Sequence, residues 1–289
     1  MDPVSDNWGR RTRRQLRRFE CAMLKKKSQR LPDFLVIGAQ KSGTSWLHQN
    51  LLHHPDVFVP QKKELHYFNS DLKKSLRDYA SYFAEAEARV IGEITPAYSI
   101  LTDVDIQFVK SLMPRAKLIL LMRDPIERAW SQAVMEVADR TGRKVGDVPD
   151  SEFIEFLKSW PSFGRSDYPT MLANWENHFD GKAIFTGFLE QVRSGPEDLL
   201  NNIFDHIGVS RIDDWHGFPV RKIVAPDVGK RVTGEGKSGA GFAVHQSAPE
   251  HKEQTLDLMP DAVRGVLKEL YANVLVQLKL RFGDDLPNW

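Results

Sequence analysis

The stretch from Phe34 to Leu51 constrains this chain more than any other. Phe34-Leu35-Val36-Ile37 is a short apolar run with β-branched residues, opened by Pro32-Asp33 and closed by Gly38, the pattern of a buried parallel strand. Trp46, Leu47, Asn50 and Leu51 then recur at helical spacing until His54-Pro55. Between strand and helix lies the polar loop Gly38-Ala39-Gln40-Lys41-Ser42-Gly43-Thr44-Ser45. A loop that opens a helix presents free backbone N–H groups and the positive end of the helix dipole, which together form an anion site. Gly38 and Gly43 let the backbone turn tightly around an anion, and Thr44 and Ser45 add hydroxyl donors.

The pattern repeats downstream. Val90-Ile91 before Gly92, Lys117–Met122 and Ala183–Thr186 read as further strands. Lys117–Met122 runs into Arg123-Asp124-Pro125, where Asp124 suits the cap and Pro125 the first turn of a helix through Arg128, Trp130 and Val134. Pro196–Ile207 reads as a helix, with Ser194 near its start and Gly208 past its end. A last helix starts near Pro260, places Val263, Val266, Leu267, Leu270, Val274, Leu275 and Leu278 on one face, and stops at Gly283. Strands alternating with helices predict an α/β domain whose central parallel sheet is flanked by helices on both sides. Residues 139–166 lack strong periodicity and read as a surface excursion; residues 225–248, rich in Gly and Lys, read as loop.

Charge divides the chain of 289 residues into a basic arm, 1–30, and a single domain, 31–289. Ten basic side chains and one acid, Glu20, fall within residues 10–30, while the whole chain carries only +1, so the remainder is net acidic. The arm reads as a solvated terminus or as a peripheral contact with an anionic surface. Its longest apolar stretch, Cys21-Ala22-Met23-Leu24, is far short of a signal peptide core, and no window approaches the ~18 apolar residues of a membrane span. One cysteine, Cys21, excludes an internal disulfide and fits a reducing compartment; the expectation is a cytoplasmic protein. Zinc chemistry lacks a ligand pattern, no G-x-G-x-x-G follows a strand, and nucleic-acid binding has only the arm to rest on. The expectation is therefore no metal and no nucleic acid.

The loop's nearest rival pattern is the nucleotide triphosphatase loop G-x-x-x-x-G-K-[ST]. Gly38 and Gly43 fit it, but Thr44 stands where that motif needs lysine, and Lys41 comes three residues earlier. A kinase or triphosphatase with a degenerate loop is the alternative this leaves, with Glu93 and Asp124 as its possible metal ligands. Gln40-Lys41-Ser42-Gly43-Thr44-Ser45-Trp46-Leu47 instead resembles the 5′-phosphosulfate loop of sulfotransferases that use 3′-phosphoadenosine 5′-phosphosulfate (PAPS). Lys63-Glu64-Leu65-His66-Tyr67-Phe68 is similar to a segment of the heparan-sulfate branch of that family. Arg123-Asp124-Pro125-Ile126-Glu127-Arg128-Ala129-Trp130-Ser131 is similar to its 3′-phosphate motif, and Gly283–Trp289 to its usual chain end. These matches run in the family's order from about residue 33 to 289.

The resemblance implies a triphosphatase-like sheet fold, PAPS as co-substrate, and a role for each residue. Lys41 would stabilise charge on the leaving phosphate oxygen, with Ser42, Gly43, Thr44 and Ser45 around the 5′-phosphosulfate. Glu64 would be the general base, its carboxyl raised by partial burial beside Tyr67 and Phe68. His66 would share a face with Glu64 in an extended segment and assist or replace it. Arg123 and Ser131 would hold the 3′-phosphate. Trp46 would stack on adenine or pack against the sheet, and Lys230 and Arg231, or Lys237-Ser238-Gly239, would close over the nucleotide. A non-catalytic PAPS-binding protein is the alternative from the binding class; a pure binder has no need of both Lys41 and Glu64. Two departures separate this chain from the glycan-directed members: Ile94 stands where they carry lysine, and Gln132-Ala133-Val134-Met135 lacks their histidine. With the acidic body, these departures favour a neutral or cationic small molecule, a lipid head group or an uncharged saccharide as acceptor.

Overall fold

A computed structural model of the chain describes residues 15–16, 30–70, 74–87, 90–221 and 256–289. Among them, β1 (Phe34–Gly38), β2 (Val57–Phe58), β3 (Val90–Ile94), β4 (Lys117–Met122) and β5 (Ile184–Phe188) form one sheet in the order β2-β3-β1-β4-β5. Every pairing is parallel. Successive residues of β1 and β4 serve opposite faces. Leu35, Ile37, Leu118, Leu120 and Met122 belong to one apolar cluster, and Phe34, Val36, Ile119 and Leu121 to the other. Both faces are therefore dry, and the uninterrupted apolar runs of β1 and β4 follow from that.

The helices are α1 (Thr44–Leu51), α2 (Leu76–Ser81), α3 (Asp103–Leu112), α4 (Pro125–Ala133) and α5 (Asp150–Lys158) in the first half. In the second half come α6 (Trp160–Gly164), α7 (Tyr168–Glu176), α8 (Leu189–Ser194), α9 (Pro196–Ile207) and α10 (Asp261–Phe282). α1 and α9 cover one face of the sheet through Trp46, Leu47, Leu51, Leu200, Ile203 and Phe204. α3, α4, α5, α7 and α10 cover the other. Among the described residues no helix is long and apolar enough to cross a membrane.

Most elements lie where the sequence puts them, and the differences have local causes. β2 is two residues long, too short to carry a pattern. β5 starts one residue later than expected and runs to Phe188, because the Asp180 side chain accepts the Lys182 N–H at 2.8 Å and turns Gly181–Ala183 away from the strand. Ser194 ends α8 and does not open α9, which starts behind Gly195. α4 gives way after Ala133 to a wide π-type turn over Val134–Ala138, so Val134 lies beyond the regular helix. In α10, Tyr271 is fully buried although it lay outside the expected face, whereas Val266, Leu270 and Leu275 are only half-buried. Residues 225–248, and with them Lys230 and Arg231, lie outside the described residues.

The main correction concerns residues 139–166. They are no surface excursion: α5 and α6 sit there, and Val148, Phe153, Leu157, Ser162 and Ser166 are all buried. Phe153 packs its ring 4.9 Å from that of Trp130 on α4. Phe153 and Leu157 of α5 are fully buried with Ile154 and Phe156 packed beside them, but α5 has nine residues and α6 five, so neither window is long enough to show a sustained period. We expect Phe153→Ala to cost about 3–5 kcal/mol, the range for emptying a buried phenylalanine site. Urea unfolding measures it; a loss within about 0.5 kcal/mol, as for a surface side chain, would restore the excursion.

Candidate active site

The loop after β1 has the geometry its residues demand. Gly43 caps α1 with φ 89°, and a Cβ there would meet Leu189 Cδ1 at 3.0 Å. Gly38 lies so close to the chain beyond β3 that a Cβ would reach Ser99 Cβ at 2.8 Å. The first amides of α1 have no acceptor within the helix and point into the turn of the loop. Ser42 and Thr44 are buried, while Lys41 and Ser45 are half-buried.

Lys63 reaches into this loop. Its Nζ donates to Thr44 Oγ1 at 3.2 Å and to Ser45 Oγ at 2.9 Å, and lies 3.4 Å from Glu64 Oε1. The same ammonium thus joins the anion loop to the expected base. Lys63 has no role of its own in the sequence; the available signal is its place inside the Lys63-Glu64-Leu65-His66 segment. Burial pushes its pKa down, against the pull of Glu64.

Glu64 and His66 meet, but not by the expected route. The segment is not extended: Glu64 has φ 61° and His66 φ 55°, and Glu64 Oε2 lies 3.4 Å from His66 Nε2. Tyr67 and Phe68 turn inward against Tyr79 and do not flank the carboxylate, whose side chain is 39% exposed. His66 Nδ1 also pairs with Asn69 Oδ1 at 3.2 Å. Among the described residues, the non-glycine positions with positive φ are Lys41, Glu64 and His66. Backbone strain of this kind gathers where function over-determines the chain.

What holds the strained segment is β3. The Glu64 N–H donates to the Ile94 carbonyl at 2.9 Å. Beside it, the Glu93 carboxylate, 1% exposed, accepts from the hydroxyls of Tyr79, Thr95 (2.7 Å) and Tyr98 (2.8 Å). The Tyr98 hydroxyl in turn accepts the Tyr67 N–H at 2.9 Å. Burial pushes the Glu93 carboxyl pKa up, and the three hydroxyl donors oppose it. Glu93 is thus enclosed by hydroxyls rather than held open as a metal ligand.

Arg123 follows β4 directly. It is buried, and its Nε and Nη2 donate to Glu127 Oε2 at 3.2 and 2.9 Å. Its backbone N–H and C=O both engage the Tyr168 hydroxyl, at 3.2 and 2.9 Å. Asp124 caps α4, accepting from the amides of Ile126 at 2.7 Å and Glu127 at 3.1 Å. Ser131 sits further along α4, half-buried. Trp46 packs within the apolar cluster beneath the sheet and donates its indole N–H to the Val220 carbonyl at 2.8 Å, which serves the packing role of the two considered. Burial lowers the Lys41 pKa to about 8; Asp139 and Glu136 pull it up, while Arg123 and Arg128 push it further down. Lys41 and Arg123, distant in sequence, therefore share one electrostatic neighbourhood.

The glycine-turned loop, Lys63 with Glu64 beside it, and Arg123 at the end of the neighbouring strand β4 are thus carried by one parallel sheet. The chain belongs to the sulfotransferase domain family, whose model matches residues 31–216. It is 42% identical over 106 residues to the membrane-associated sulfotransferase kil1 of Dictyostelium discoideum, covering 35% of this chain and 22% of that one. It is 29% identical over 218 residues to heparan sulfate glucosamine 3-O-sulfotransferase 3A1 of Mus musculus, covering 69% of this chain and 53% of the relative. The chain thus spans about half the length, or less, of these curated relatives. Its fold is similar to a crystal structure of a sulfotransferase from Alicyclobacillus acidocaldarius, with a TM-score of 0.62 at 20% identity, over 89% of this chain and 98% of that one.

The depressed Lys41 pKa has a direct chemical signature. With a pKa of about 8, a larger fraction of Lys41 is neutral at pH 7 than of any solvated lysine near 10.4. Competitive labelling with acetic anhydride, read by peptide mass spectrometry, should give a half-maximal pH near 8 for Lys41. A midpoint shared with the exposed lysines would show that its burial does not shift it.

Proposed function

We propose that this chain is a PAPS-dependent sulfotransferase that moves a sulfuryl group to an acceptor hydroxyl or amine. The observation that carries the reading is that Lys63 bridges Glu64 to the start of α1, behind the loop that carries Lys41, with Lys63 Nζ 2.9 Å from Ser45 Oγ and 3.4 Å from Glu64 Oε1. A triphosphatase loop needs its lysine where Thr44 stands, whereas the lysine of this loop is Lys41, three residues earlier. The family membership supports the same class.

The chemistry follows from the placement. The acceptor oxygen or nitrogen attacks sulfur in line, the bond from sulfur to the 5′-phosphate oxygen breaks, and its electron pair stays on that oxygen. The amides at the start of α1, with Thr44 and Ser45, would receive the 5′-phosphosulfate. Lys41 and Lys63 would meet the charge that grows on the bridging oxygen. The acceptor proton would pass to Glu64, directly or through the neighbouring His66. Arg123 and Ser131 would take the 3′-phosphate, Arg123 exchanging its Glu127 partner for the bidentate contact that phosphate favours.

For the acceptor, we infer a neutral or cationic group: a small molecule, a lipid head group or an uncharged saccharide. Ile94, in the place of the glycan branch's lysine, is buried in the core and brings no cation to the cleft. The carboxylates of Glu136 and Asp139 act on Lys41 as Glu64 does on Lys63. A labelled-PAPS screen across acceptor classes tests this; turnover confined to sulfated or uronate polysaccharides would overturn it. With an acceptor in hand, Lys41→Ala and Glu64→Ala should each lower turnover by ~100-fold or more, the usual scale for losing electrostatic or acid–base catalysis. Near-normal turnover in either variant removes that residue's role. Arg123→Ala should chiefly weaken adenosine 3′,5′-bisphosphate binding, measured by calorimetry; unchanged affinity removes Arg123 from the donor site.

A further inference from the structure

Arg128 is a buried charge that the proposed chemistry does not use. It lies on α4, five residues after Arg123 and three before Ser131, and is 0% exposed. Its Nε donates to Ser166 Oγ, its Nη1 to Gln132 Oε1 at 3.0 Å and its Nη2 to the Ser162 carbonyl at 3.1 Å. Each of these acceptors is neutral. Among the described residues no carboxylate forms an ion pair with it, whereas Arg123 on the same structural unit has Glu127. Hydrogen bonds of this kind satisfy the N–H donors but leave the charge itself uncompensated, and a buried uncompensated cation is costly. Burial lowers the Arg128 pKa, the Tyr168 and Tyr271 hydroxyls oppose that shift, and Arg123 adds to it; Arg128 in turn weighs on both Lys41 and Arg165.

The surroundings tie Arg128 to the end of the site that carries Arg123. Ser166, which accepts from Arg128, donates to the Pro125 carbonyl at 3.0 Å, in the first turn of α4. Tyr168, two residues on, clasps the Arg123 backbone. Residues three apart on a helix lie about 5–6 Å apart at their Cβ atoms, so Arg128 and Ser131 are neighbours on α4. A positive charge in a dry interior acts over such distances with little screening.

We infer that Arg128 is an electrostatic anchor for the donor nucleotide: its charge has no carboxylate partner among the described residues and is neutralised when a polyanionic ligand binds at Lys41, Arg123 and Ser131. It is a positioning residue that touches no ligand atom. The inference rests on the donor reading above, and it adds that this side chain, reserved by sequence pattern for no role, sets affinity for the ligand's charge and not for its base.

The test compares a charged and an uncharged ligand on the full chain. Adenosine 3′,5′-bisphosphate is titrated by calorimetry and adenosine by ligand-observed NMR, against wild type, Arg128→Met and Arg128→Lys. A unit charge about 10 Å from a phosphate dianion, at an effective dielectric of about 20, changes affinity by at least tenfold. We therefore expect Arg128→Met to lose at least about tenfold for the bisphosphate and nothing for adenosine, and Arg128→Lys to recover most of the loss. A merely structural tie behaves otherwise, because lysine cannot rebuild the three-pronged contact to Ser166, Gln132 and Ser162. Equal losses for both ligands, unchanged bisphosphate affinity in Arg128→Met, or no recovery in Arg128→Lys would each overturn the inference. If Arg128→Met does not fold, Arg128→Gln, neutral but still a donor, takes its place with the same expectations. Wild type that fails to bind the bisphosphate sinks the donor reading and this inference together; wild-type binding with an unaffected neutral variant sinks this one alone.

Discussion

The site depends on the hydrogen bonds that Glu93 receives. A carboxylate with almost no exposure needs donors on every side, and Tyr79, Thr95 and Tyr98 supply them. That need fixes the Tyr98 hydroxyl, which then accepts the Tyr67 amide, and the adjacent Ile94 carbonyl accepts the Glu64 amide. A stretch of chain with two left-handed residues is thereby pinned to the end of β3 and brought over the start of α1. Without the pin, nothing would repay the strain at Glu64 and His66, and Lys63 would have no reason to lie on Thr44 and Ser45.

Charge is arranged around that pin in two tiers. Lys41 and Lys63 are both shifted downward by burial and both opposed by nearby carboxylates, so neither is an ordinary surface ammonium. Behind them, Arg123 is balanced by Glu127 while Arg128 is held only by neutral atoms. Arg128 is therefore the cation of α4 that lacks a carboxylate partner among the described residues, while Glu64, Glu136 and Asp139 bring negative charge to the two lysines.

Much of this was legible in the sequence. Strands buried on both faces leave continuous apolar runs, so β1 and β4 were readable, and the loop after β1 follows from its glycines and hydroxyls. Lys41, Glu64 and Arg123 stood in motifs; the structure sets Lys41 and Arg123 in one electrostatic neighbourhood and Glu64 beside Lys63. What the sequence hides is contact made across the chain by isolated residues. Lys63 looks like any lysine in a basic pair until Thr44 and Ser45 are seen beneath it. Glu93 resembles a metal ligand until its three hydroxyls are counted. Residues 139–166 are split among short helices and turns, each too brief to sustain a period, yet Ser162 and Ser166 are what Arg128 holds. The left-handed backbone at Glu64 and His66 is likewise invisible, since neither residue favours it intrinsically.

The double grip on Arg123 has a consequence for how a ligand is met. Its backbone is clasped by the Tyr168 hydroxyl and its guanidinium by Glu127, so the long side chain is already immobile before anything arrives. Freezing such a side chain on association costs about 0.5–1.5 kcal/mol, a sum this protein has settled during folding. On the proposed donor reading, recognition at that corner would be closer to a partner exchange at a ready-made socket than to an arm reaching out, and selectivity there would belong to the shape of the socket rather than to the flexibility of the arginine.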